Sequence, residues 1–119
     1  MAKYVRVLAR PTEEKGNEDA TPLYFDVVLD SDDKIHNDRP IFGFQGDIGS
    51  RRGSSYPFVL YSDGRSDYGQ EYDDNRRFGE IDLRDGRVVL NRRFRSHGIL
   101  GSSFDEHYYI AQIIVLAEN

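Results

Sequence analysis

Two stretches of this chain hold residues whose types and spacing could do chemistry. Between Asp63 and Asn75 it reads Asp-Gly-Arg-Ser-Asp-Tyr-Gly-Gln-Glu-Tyr-Asp-Asp-Asn, with five acids, of which Asp67, Glu71 and Asp73 are separated by tyrosines. Carboxylates interleaved with phenol rings suit a saccharide, the acids taking its hydroxyls and the rings stacking on its faces. Asp67, Tyr68, Glu71, Tyr72 and Asp73 are therefore the candidate small-ligand site. Hydrolysis by a carboxylate pair is a remoter form of the same reading.

The second stretch is basic. From Arg76 to Arg95 seven arginines face only Glu80, Asp82 and Asp85, and Phe78, Phe94 and His97 lie among or beside them. Arginine and aromatic side chains are enriched where protein interfaces hold most of their binding energy. Arg76, Arg77, Arg92, Arg93 and Arg95 are thus the candidate partner-binding residues, and an anionic protein is the expected partner. The same chemistry holds single-stranded nucleic acid by phosphate pairing and base stacking. The whole chain carries a net charge of −5, however, and that places nucleic acid below protein.

Other constellations are incomplete. Asp30, Asp32, Asp33 and Asp38, with His36, offer oxygen ligands for a hard cation, but the Gly and distal Glu of a calcium loop are missing. A solvated turn is the expectation there, with no metal and no cofactor. Gly49-Ser-Arg-Arg-Gly-Ser-Ser55 could cradle a phosphate yet lacks the Gly-Lys-Ser/Thr of a nucleotide loop, so it reads as an ordinary loop. His36, His97 and His107 coexist with many serines, and nothing positions a catalytic triad.

Composition narrows the classes further. The chain has 119 residues, enough for one domain with its own core. With no cysteine there is no disulfide framework, thiolate nucleophile or Cys-ligated metal site. No apolar run reaches signal-peptide or membrane-span length, so a cytoplasmic location and no membrane partner are expected. Arginine outnumbers lysine heavily, as in GC-rich bacterial genomes. Residues 11–50 hold ten acids against three bases, so an acidic half precedes the basic stretch.

The elements that must position these residues read as strands. Lys3–Arg10 alternates with Val5, Val7 and Ala9 on one side, and Leu23–Leu29 with Leu23, Phe25, Val27 and Leu29 on one side. Ile41–Gln45 follows Pro40, its Gly43 marking a bulge or a close backbone approach. Tyr56–Ser62 places Phe58 and Leu60 together. The stretch Phe78–Phe94 alternates on both sides of Asp85-Gly86, which predicts a hairpin with a two-residue turn, pairing Leu83 with Val88, Ile81 with Leu90 and Gly79 with Arg92. His107–Ala117 is β-branched and apolar on both faces, which suggests a central strand. Thr12–Pro22, Asp30–Arg39, Gly46–Ser55, Asp63–Arg77 and Arg95–Glu106 read as long connections. No segment has a helical period.

The expectation is one all-β domain over residues 1–119, a small antiparallel barrel or sandwich of about seven strands with long polar loops, the barrel being preferred. Its expected role is non-catalytic binding of a protein partner through the arginine and aromatic face. The alternatives are a ligand-binding barrel or small enzyme using residues 63–75, and a single-stranded nucleic-acid binder.

Overall fold

The structure, a computed structural model, describes residues 2–12, 22–36, 40–46, 56–84, 86–98 and 105–118. Among them are eight strands: β1 (Lys3–Pro11), β2 (Leu23–Leu29), β3 (Ile41–Gln45), β4 (Tyr56–Leu60), β5 (Arg65–Asp67), β6 (Phe78–Ile81), β7 (Arg93–His97) and β8 (Glu106–Glu118). A single helical turn, α1 (Asp74–Arg77), leads into β6. Each strand pairs antiparallel with the next, and β8 returns to β1, so the sheet is a closed barrel.

Alternation determines which side chains enter it. Val5, Val7 and Ala9 of β1 and Leu23, Phe25, Val27 and Leu29 of β2 are buried, as period-two patterning requires when one face meets a core. Phe94 stacks on Tyr108 (5.5 Å between centroids) and meets Phe25 edge-on (6.4 Å). Ile81, Ile110, Phe58, Leu60 and Tyr68 complete the packing. Gly43 is a close approach rather than a bulge, since its pairing with β2 and β4 is regular. A Cβ there would lie 2.4 Å from the Tyr24 carbonyl oxygen and 2.8 Å from the Phe58 ring.

Three expectations are corrected. The pairing Ile81 with Leu90 does not occur: Ile81 lies opposite Ser96 and Glu80 opposite His97, while Leu90 is 57% exposed. Residues 82–84 and 86–92 instead lie outside the strands, against one end of the barrel. Leu83 and Val88 are buried there without pairing to each other. The Val88 amide donates to the Asp33 carbonyl at 2.7 Å, and Arg87 bridges to Lys34, so the loop binds the β2–β3 connection rather than itself. Arg84, which a two-residue turn at Asp85-Gly86 would set opposite Arg87, donates to the Leu60 carbonyl. Asp85 lies outside the described residues.

The second correction concerns Asp63–Arg77, expected as one loop. Asp63-Gly64 is the tip of a tight hairpin, in which the Tyr61 amide donates to the Arg65 carbonyl and the Gly64 amide to the Tyr61 carbonyl. Gly64 has φ of +90°, a conformation glycine adopts without a Cβ clash. The third concerns β8. It pairs with β1 along most of its length, with bulges at two places, but among the described residues β7 pairs only with its Glu106–Tyr109 part. Among the described residues its second half is therefore not central. The bulge between Ile110 and Gln112 also switches faces, so that Ile113 lies opposite Val7 and Val115 opposite Val5.

Candidate functional site

The residues 63–75 do not gather around an open mouth. Tyr68 is buried in the barrel, its hydroxyl donating to Gln45 Oε1 at 3.2 Å, and burial pushes its phenol pKa up. Tyr72 packs against the core, while Glu71 and Asp73 face solvent. Asp67 accepts two hydrogen bonds from Arg77, Nε to Oδ1 at 2.9 Å and Nη2 to Oδ2 at 3.1 Å, and further ones from the Gly69 amide and the Tyr61 hydroxyl. The Arg77 guanidinium holds the Asp67 carboxyl below the usual carboxylate range, outweighing the opposing effect of burial.

This brace joins one residue from each expected site. Arg77 stacks on Phe78 at 4.8 Å to the centroid, and Arg65 stacks on Phe78 and Tyr61 at 5.0 and 5.2 Å. Arg77 is thereby committed to the fold of the β5–β6 wall. Arg76 is exposed on α1. Arg92 turns its guanidinium to the Arg87 carbonyl, closing the 82–92 loop. Only Arg93 and Arg95 of the five candidate arginines stand together, both on the outer side of β7.

Register supplies their neighbours. Tyr109 of β8 lies opposite Arg93 of β7 and, on its other side, opposite Arg10 of β1. Inward Phe94, Tyr108 and Ala9 alternate with them, so Arg10, Tyr109 and Arg93 form a row across three strands on the outer wall, neighbours about 5 Å apart. Arg10 and Arg93 are exposed, with no hydrogen bond or ion pair among the described residues. A shallow hollow of about 370 Å³ lies beside Arg93 and Tyr109, reaching Thr12 and Asn91. In the next row Arg95 lies opposite His107. Asp105 contacts both Arg95 (3.6 Å) and His97, and the His97 ring, with Arg95 adding to it, holds the Asp105 carboxyl below its ordinary range.

Sequence reasoning missed Arg10, Tyr109 and His107, because they lie far from the basic stretch. The available signal was alternation: Arg10 and Tyr109 both fall on the side of their strands opposite the buried residues. A second feature, also unforeseen, is aromatic. On the outer side of β2 and β3, Tyr24 stacks on Phe44 at 4.8 Å, and Phe42 is 63% exposed. A groove of about 530 Å³ runs from there past Tyr4, Val28 and His36.

Of the acidic turn, the Asp30 carboxylate accepts from the Asp32 and Lys34 amides, and Asp33 pairs with Lys3 at 2.8 Å. Among the described residues no three His, Asp or Glu side chains converge as a metal site. Asp38 and the 49–55 loop with Arg51 and Arg52 lie outside the described residues. No helix among the described residues is long and apolar enough to cross a membrane. No protein family, curated protein or solved structure was found to match the chain.

Proposed function

We propose that this chain is a non-catalytic binding domain that takes an acidic protein partner on the outer wall where β1, β8 and β7 meet. The observation that supports the reading is the row Arg10, Tyr109, Arg93: two guanidinium groups with no carboxylate partner among the described residues, on either side of one tyrosine. Tyrosine and arginine on a rigid sheet present a large contact area at small entropic cost, which is why they dominate interface energetics. Carboxylates of a partner would pair with the guanidinium forks while an apolar group covered the ring. The filled interior argues in the same direction, because side chains occupy the space that a barrel ligand would need.

The test is a comparative pull-down from native lysate with the wild type and the double variant Arg10→Gln, Arg93→Gln, both nuclease-treated. Both sites are exposed, so the variant should keep its stability within about 0.5 kcal/mol. Proteins retained by the wild type and lost by the variant, with retention falling as salt rises, are the expected result. Identical sets, or a wild-type signal that nuclease removes, would overturn the proposal.

A further inference from the structure

β8 has thirteen residues, but β7 pairs with only its first part. Past Tyr109, the Asn91 amide and the Arg92 carbonyl bond the main chain of Ile110. Then the chain turns away at Val89–Arg92, where the Arg92 amide donates back to the Val89 carbonyl and Asn91 takes φ of +69°. Among the described residues no strand lies beside Ala111–Glu118 on the side opposite β1. This edge spans about 25 Å at ordinary strand rise, and its main-chain donors and acceptors need partners.

Its composition is that of a paired strand. From Ala111 to Ala117 there is no charge, proline or glycine, whereas open edges normally carry such residues to prevent pairing. Ile114, Val115 and Leu116 are 43%, 50% and 44% exposed, and Val89 and Leu90 on the adjoining turn are exposed as well.

We infer that this edge joins a second copy of the chain, antiparallel about a two-fold axis near Ile114, extending the sheet of one barrel into the next. A two-fold axis perpendicular to the sheet sets Ile114 against its own copy and Ile113 against Val115, residues that share a face in the run between the two bulges. No like charges meet along it. The same placement carries Glu118 of the second copy to the turn that bears Arg92, which sets an acid beside a basic residue at each end of the join. The Arg10, Tyr109, Arg93 row lies beyond the paired run and stays open in the dimer.

Sedimentation equilibrium of the wild type and of Ile114→Lys tests this. The wild type should sediment as a dimer at tens of micromolar. The variant, whose new charge sits on the outer side of the strand, should sediment as a monomer with an unchanged circular dichroism spectrum. A wild type monomeric throughout that range, or a dimer that survives the substitution, would overturn the inference. Should the variant fail to fold, amide exchange of the wild type at two concentrations decides: slower exchange of Ala111–Glu118 at the higher one is expected, and equal exchange at both would contradict a joint there.

Discussion

Asp67 illustrates how one side chain's surroundings decide its role. From the sequence it was a candidate for ligand binding, because its neighbours Tyr68 and Tyr72 suggested a sugar platform. In the fold its lone pairs are taken by Arg77, Gly69 and Tyr61. Its carboxyl is held below the unfolded value of about 3.9. The native state therefore favours the ionised form, so this stabilisation is full above about pH 4 and is lost as pH falls through the lower folded pKa. Asp67→Asn should lower the melting temperature near pH 7, and the gap from wild type should narrow as pH falls below the ordinary carboxylate range. Thermal melts across that range check it; a gap independent of pH would mean that the carboxylate charge is not what matters. Gly43 makes a sharper case. Gly43→Ala should cost about 3 kcal/mol or more in urea denaturation, since the added methyl meets a backbone oxygen that cannot move aside.

At the scale of elements, β1, β2 and β4 were legible because alternation and burial agree in each, and β3 because Pro40 marks its start. The chain has two Asp-Gly pairs, and Asp63-Gly64 closes a tight hairpin. Its second strand, Arg65–Asp67, puts Ser66 rather than a large apolar residue inside, so periodicity did not reveal it. Around Asp85-Gly86 the apolar pattern was strong, but Leu83 and Val88 gain their burial by covering the barrel end, and Val88 finds its hydrogen bond on Asp33. Tertiary packing overrode the local pattern. Leu83→Ala should accordingly destabilise by about 3 kcal/mol, while Leu90→Ala should change little, because Leu90 is exposed. A hairpin pairing Ile81 with Leu90 would make both costly. Gly86, with φ of +98°, should lose about 1 kcal/mol or more on replacement by Val.

For the whole molecule, the closed barrel follows from strand after strand with one apolar face and no helical period, and the circular dichroism spectrum should be β-dominated. The candidate site was legible only in part. Arg93 and Arg95 stood in the basic stretch, but Arg10 and Tyr109 join them only when barrel closure brings the first strand beside the last. Such neighbours are set by register over a separation of about a hundred residues, which local spacing does not encode. The arginines that looked contiguous were dispersed: Arg77 to a brace, Arg92 to a loop closure and Arg76 to the helical turn. The most direct measurement of the binding face is a titration of isotope-labelled protein with a short oligoglutamate peptide, followed by amide and arginine side-chain resonances. The account predicts salt-sensitive shifts concentrated at Arg10, Arg93, Arg95, His107 and Tyr109. Shifts centred elsewhere, or none at low salt, would contradict it.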